Sequence, residues 1–456
     1  MPKAVVLAGG KGEKCWPFSV VRNKCAIPVG NVPLISRLVD ELRMAGFGEV
    51  AVVTGHSAGS VRAALKDIEP PVEFVHDPYV KGTAAATLLA WEGEESVLVV
   101  YGDILITSSD IEALWNAFMH GEAVAGALVR PMGGERPLDW ICAHIEGDRL
   151  ASISGHPRAA SHRLCGVFAL SPEAYKYVES NPGVMEHVPV GGMPPKEAEL
   201  SESIAMMLDD NLEVVAVECK GPFVDLDKPW HILEANEAWL RTFFSKVEWD
   251  RVSWGAKVHD SAEIKGKLVI EEGAEIGPRV VLEGDAYIAR GAVVSNGAVL
   301  GARTAVGERA VIKDYALVAS GSVVGPETRV LHCAEFWGVL MRGAYLYHYC
   351  EVAGVVGEKV DIGAATVVGT LRFDDDDTVH RIRGRREYPR VGANVAYFGD
   401  FSRTGVNAII MPGVKIGVYS CVGPGVVLYK DLPDRRAVFV KQELEERDWG
   451  PEKYGW

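Results

Sequence analysis

The sequence predicts an α/β protein built from two unlike halves, a doubly wound, Rossmann-like layer followed by a parallel β-helix of hexapeptides. Three observations carry this reading. An apolar residue recurs every six positions, at Ile264, Ile270, Ile276, Leu282, Ile288, Val294, Leu300, Val306, Ile312, Val318, Val324 and Val330. Ahead of that run, short apolar strands alternate with amphipathic helices. Glycine is abundant, at 49 of 456 residues, as frequent turns require.

That hexad period fits no α-helix, whose repeat is about 3.6. It fits a prism in which each hexapeptide supplies one flat strand and one turn. The recurring aliphatic stacks inward on its copy one coil away. Two residues before it sit small side chains such as Ala274, Ala286, Ala292, Ala298, Ala310 and Ala316, suited to a tight corner. Each buried Ile or Val contributes roughly 1.5–3 kcal/mol, so the stack needs no disulfide or metal.

Taken in order, Ala4–Ala8 reads as a buried strand that ends on Gly9 and Gly10. A glycine-rich loop with Lys11 and Lys14 follows, then Lys24. Pro33 opens a helix with an apolar stripe of Leu34, Ile35, Leu38, Val39 and Leu42, and Gly46 ends it. Further strands are expected at Glu49–Thr54, Val72–Val75 and Ser96–Val100, and helices at Val61–Leu65 and from Gly82-Thr83 to Trp91. The alternation argues a parallel sheet with ligands at the carboxyl ends of its strands. The domains expected are a nucleotide-binding layer over 1–244, a link over 245–257, a β-helix over 258–430 and a polar tail over 431–456. The six-residue phase breaks after Val330 and again after Val368, marking inserts at 331–355 and 369–390. Inserts on a solenoid are common seats of binding chemistry.

A net charge of −15 argues against a broad nucleic-acid surface. Eight scattered cysteines without a C-x-x-C pair suggest reduced thiols in a cytoplasm. Neither a signal peptide nor an apolar run of membrane-spanning length is expected.

A glycine-rich loop after a strand brings backbone N–H groups close to phosphates, and Lys14 and Lys24 suit a triphosphate. Lys11 reads more readily as a solvated surface lysine. Asp103 and Asp225 each stand just past an apolar strand. Two carboxylates at sheet ends suit one Mg²⁺, a hard cation that completes its shell with water and phosphate oxygens.

These residues resemble the sugar-1-phosphate nucleotidylyltransferases. The match runs through Leu7-Ala8-Gly9-Gly10-Lys11-Gly12, Lys24 with Pro28-Val29-Gly30, Gly82-Thr83-Ala84, Gly102-Asp103, and Asp225 with Lys228-Pro229. The resemblance implies nucleotide contacts from Leu7, Ala8, Gly9, Gly10, Gly12, Gly82, Thr83 and Gly102, and a metal on Asp103 and Asp225. It also implies a sugar contact at Gly166 and catalytic roles for Lys14 and Lys24. In that family a sugar-1-phosphate oxygen attacks the α-phosphorus of UTP or dTTP and pyrophosphate leaves. Departures cluster at the sugar side. Glu13-Lys14 stands for Thr-Arg, Gly155-His156-Pro157 for Glu-Lys-Pro, and Cys165 for an Asn.

The second half extends the resemblance to archaeal-type bifunctional enzymes, whose left-handed β-helix is a trimeric, acetyl-CoA-dependent N-acetyltransferase for glucosamine-1-phosphate. The resemblance covers residues 354–428. It implies a general base at His348, one residue beyond Tyr347, with His332 as the other candidate. It further implies acetyl-CoA or acceptor contacts at Asn407 and Arg390, with the insert arginines pairing CoA phosphates. Two other readings stay open. One is a glucose-1-phosphate thymidylyl- or uridylyltransferase on a purely structural β-helix. The other is a regulatory subunit that binds nucleotide-sugars without turning them over.

Overall fold

The computed structural model describes residues 2–188 and 196–454. Nine strands form the first sheet: β1 (Lys3–Ala8), β2 (Glu49–Thr54), β3 (Glu73–His76), β4 (Val97–Tyr101), β5 (Ala125–Pro131), β6 (Ile141–Glu146), β7 (Arg149–Gly155), β8 (His162–Leu170) and β9 (Val214–Glu218). Their spatial order is β3-β2-β1-β4-β8-β5-β9-β7-β6. The strands β3, β2, β1 and β4 are parallel, with an all-apolar register such as Val5 beside Ala51 and Val99. Helices Leu34–Met44 and Ser108–His120 cover one face of these strands, over Val6, Val52 and Leu98, and helices Thr83–Leu88 and Leu200–Asp209 cover the other, over Val5, Ala51 and Val99.

The expected all-parallel sheet is corrected beyond β4. Strand β8 runs antiparallel to both β4 and β5, and β6 and β7 form a hairpin. The hairpin turns at Gly147-Asp148, where Gly147 adopts a φ of 66°. Polar residues alternate there with apolar ones, so the run lacks the all-apolar signature that marks the parallel strands.

From Arg251 onward the chain winds into parallel coils. Lys257 pairs with Glu275, Glu275 with Val293 and Val293 with Val311, so three hexapeptides complete one coil. Ile270, Ile288, Val306 and Val324 stack in one fully buried column. The pattern is consistent with a left-handed parallel β-helix. The segment expected as an insert at 331–355 instead continues the stack. Glu335–Leu340 pairs in register with Glu351–Val356, and Tyr345 with Asp361, a spacing two residues shorter per coil. Gly338 and Gly354 permit the tightened corner. A Cβ on Gly338 would meet the Gly354 carbonyl at 2.0 Å, and its φ is 125°. The second break does leave the stack. Between Val368 and Ala396 the chain makes an antiparallel hairpin, His380–Ile382 against Arg385–Glu387.

The two halves share one apolar core. Phe18, Leu226, Trp230 and Leu233 of the first pack with Val323, Val355, Ile382 and Tyr397 of the second. Helix His231–Ser245 lies along this seam. Arg22 crosses it to the fully buried Asp400 at 2.6 Å and to Glu358 at 3.0 Å.

Candidate active site

Strand β1 delivers the glycine loop to the carboxyl edge of the sheet. Its end is fixed by hydrogen bonds from Gly102 N–H to the Leu7 carbonyl and from His56 N–H to the Gly9 carbonyl, each 2.9 Å. Asn23, which the sequence reading passed over, fastens the loop. Its amide donates to the carbonyls of Ala8 and His56 at 2.9 Å and of Gly10 at 3.3 Å. Gly12 takes a φ of 62°, and a Cβ there would press on the Lys24 stem at 3.3 Å. The glycine thus lets Lys24 lie under the loop. Gly102 and Gly166 are needed for space: a Cβ would meet the Leu7 carbonyl at 2.9 Å and the Tyr101 ring at 2.7 Å, respectively.

The acidic residues come together as the strand ends suggested. Val224–Asp225 pairs antiparallel with Ile104–Leu105, and Leu226 N–H donates to the Asp103 carbonyl at 2.9 Å. Burial and then the neighbouring Asp103 push the Asp225 carboxyl up to about 7. Lys24 forms an ion pair with Asp103. Burial opposes its charge, but Asp103, Asp227 and Asp225 outweigh that and hold its pKa well above the ordinary lysine value. Lys14 reaches Asp227 at 3.2 Å, and Lys228 reaches the same carboxylate at 3.4 Å. Burial opposes the charge on Asp227 as well, yet Lys14, Lys24 and Lys228 hold it below the usual carboxylate range. Behind it, buried His231 accepts backbone N–H groups of Asp227 and Lys228 on Nδ1 at 3.1 and 3.2 Å.

Two adjacent carboxylates, one of them reluctant to ionise without a cation, fit a Mg²⁺ ion that takes its other oxygens from phosphate and water. Among the described residues no group of three or more His, Cys, Asp or Glu side chains forms a closed metal cage.

Thr83 sits at a helix start. Its hydroxyl donates to Glu199 at 2.9 Å and accepts Leu200 N–H at 2.7 Å, a partnership not foreseen from sequence. Gly82 has no room for a Cβ, which would lie 2.4 Å from Ala198 N. His156, just past the end of β7, donates from Nδ1 to the Leu138 carbonyl at 2.9 Å. Burial holds its pKa below the ordinary histidine value, and Arg385 and Lys14 act in the same direction.

In the second half, His332 and His348 face each other with Nδ1 atoms 2.9 Å apart. The two candidates for a base are therefore one pair on adjacent coils. Asn407 lies along the same prism corner. Tyr349 N–H bonds the His332 carbonyl, Ala365 N–H that of His348, and Asn407 N–H that of Ala364. Arg390 is placed elsewhere: its guanidinium donates to the Gly133 carbonyl of the first half at 2.9 Å. At Arg390, where an acetyl-CoA or acceptor contact was expected, the structure shows a contact between the halves within one chain.

Comparison with known proteins agrees with this division. The MobA-like NTP transferase domain matches residues 4–170. The chain is 29% identical over 435 residues to a bifunctional sugar-1-phosphate nucleotidylyltransferase/acetyltransferase of Sulfurisphaera tokodaii, covering 94% of this chain and 98% of that one. It is 28% identical to the bifunctional protein GlmU of Methanococcus maripaludis, covering 97% and 98%. A glucose-1-phosphate thymidylyltransferase of Streptomyces antibioticus is 24% identical and covers 63% of this chain and 80% of its own.

Proposed function

We propose that this chain, a relative along its whole length of the archaeal-type bifunctional sugar-1-phosphate nucleotidylyltransferase/acetyltransferases, transfers a nucleotidyl group from UTP or dTTP to a sugar-1-phosphate. The observation that carries this reading is the convergence of Lys24, Asp103 and Asp225 beneath the glycine loop. The loop amides and Lys14 would cradle the triphosphate, and Lys24 would neutralise charge growing on the α-phosphoryl oxygens. Asp103 and Asp225 would hold Mg²⁺, which when bound supplies further neutralisation of the phosphates. Asp227 orients Lys14 and Lys228 through its ion pairs.

The second half is proposed to acetylate glucosamine-1-phosphate from acetyl-CoA, so that the two halves perform successive steps toward a nucleotide-activated N-acetyl sugar. The paired imidazoles support this, because imidazole is the side chain most often used to take a proton from an attacking group. Trimer formation through the β-helix belongs to the same proposal. So does a cytoplasmic setting: no helix among the described residues is long and apolar enough to cross a membrane.

The test mixes protein and Mg²⁺ with each NTP and a panel of sugar-1-phosphates and measures pyrophosphate. A parallel mixture of acetyl-CoA and glucosamine-1-phosphate is followed by free thiol. Both products support the bifunctional reading. Pyrophosphate alone leaves the β-helix structural, and neither product favours a binding subunit without turnover.

A further inference from the structure

The hairpin that leaves the β-helix between Val368 and Ala396 keeps an exposed outer surface, but it touches the first half at several points. Glu387 is buried and meets Lys228 at 3.3 Å, beside Asp227. Arg383 reaches Glu13 of the glycine loop at 3.6 Å. Arg136 stacks over Tyr388 at 4.9 Å and bonds the Arg386 carbonyl at 3.4 Å, while Arg390 bonds Gly133. From below, Ile382 joins the shared core, and buried His380 donates to the Ala393 carbonyl and accepts from Lys415. The hairpin is thus anchored on both sides.

Its pleat then decides which arginine faces the site. His380 pairs with Glu387 and Ile382 with Arg385, and in a two-stranded ribbon paired residues share a face. His380, Ile382 and Glu387 are buried against the body of the protein, so the pleat sets Arg385 on their face of the ribbon, its side chain exposed beside the body, whereas Arg381 and Arg386 are on the other face. Among the described residues Arg385 has no carboxylate partner. Its charge is felt at His156, the residue standing where the resemblance expects a lysine, where it helps to lower the imidazole's pKa. Burial holds the His156 pKa below the ordinary histidine value, so that position lacks the permanent positive charge of a lysine.

We propose that the hairpin of the second half forms a wall of the nucleotidyl-transfer site, in which Arg385 binds the phosphate of the incoming sugar-1-phosphate and Arg383 turns Glu13 away from the triphosphate. This rests on the nucleotidyl-transfer reading and names its acceptor contact. It assigns to the first site arginines that the sequence placed with CoA. It also reconciles two departures: the acidic Glu13 is neutralised by Arg383, and the cation missing at His156 is supplied by Arg385. A guanidinium suits the task because its planar fork engages two phosphate oxygens at once.

The test uses the full chain as wild type, R385A, R383A and the outward-facing control R381A. In pyrophosphate release, R385A should raise KM for the sugar-1-phosphate by roughly tenfold or more, since it removes a charge-assisted contact to two phosphate oxygens. KM for the NTP and the rate of thiol release should stay at wild-type values, and R381A should change neither. R383A should raise KM for the NTP, and E13T in the R383A background should restore it. An R385A enzyme with unaltered sugar-phosphate KM, or with a raised KM for acetyl-CoA, overturns the proposal. Should the wild type release no pyrophosphate with any pair, nucleotidyl transfer itself fails. The wall is then judged by calorimetric titration with glucose-1-phosphate and glucosamine-1-phosphate: binding lost in R385A upholds it, and equal or absent binding in both proteins refutes it.

Discussion

Lys24 and Asp103 form the ion pair on which the proposed chemistry turns, and the pair dictates how it is best probed. Asp103→Ala would leave a mostly buried ammonium unpaired, a loss of about 3–5 kcal/mol that confuses folding with catalysis. Asp103→Asn keeps an oxygen for Lys24 and removes only the charge. Its pyrophosphate release should fall by at least ~100-fold while its thermal transition stays near that of wild type. Full activity in Asp103→Asn would remove this residue from metal binding. In the second half, His348→Ala should abolish thiol release and spare pyrophosphate release. His332→Ala should lower thiol release less and shift its pH dependence, because His332 acts through its contact with His348. Asp103 and Asp225 were legible in the sequence because each ends or follows an apolar strand, and Lys24 because it stands ahead of Pro28-Val29-Gly30 in a motif. Glu199 on Thr83 and Asn23 under the loop were not, since neither lies in a periodic pattern. The Glu13–Arg383 pair joins residues far apart in the chain, and no local signal could connect them.

At the level of elements, the hexad repeat announced the β-helix because stacking every coil on its neighbour demands one buried aliphatic per turn. The same logic failed at 331–355. There the coil loses two residues and two glycines absorb the change, so the phase shifts while the stack continues. The inserted hairpin depends on an uncharged His380. Burial, with Lys415 adding, lowers its pKa to about 4. The unfolded chain takes up that proton near 6.5, whereas the folded one does so only near 4. Stability from this group is therefore complete above pH 6.5 and drains away as the pH falls toward 4. His231, lowered to about 3 by burial and then Lys228, acts with the same sign. Denaturant midpoints at pH 7 and 4.5 should fall less in His380→Gln than in wild type. An equal fall would show that His380 carries no such linkage.

The whole molecule is held as one body by the core at the seam and by Arg22 reaching Asp400 and Glu358. Burial raises the Asp400 carboxyl's pKa although Arg22 works to lower it, as expected of a group desolvated at a seam. Replacing Arg22 with Met strands Asp400, and the single cooperative transition should lose about 3–5 kcal/mol. A fragment ending at residue 244 would expose Leu226 and Trp230, and it should aggregate or melt well below the full chain. Two separate transitions in wild-type calorimetry would contradict a shared core. Sequence periodicity revealed both halves, but it could not reveal that the insert of one bears on the site of the other. Such a contact is set by the docking angle between halves, which no local pattern encodes.

The most direct measurement is Mg²⁺-dependent pyrophosphate release by wild type and Asp225→Asn in parallel, with UTP or dTTP and the sugar-1-phosphate panel. The account predicts release by wild type that chelation abolishes and added Mg²⁺ restores, and a loss of at least ~100-fold in Asp225→Asn. Release that survives chelation, or that is equal in both proteins, would contradict it.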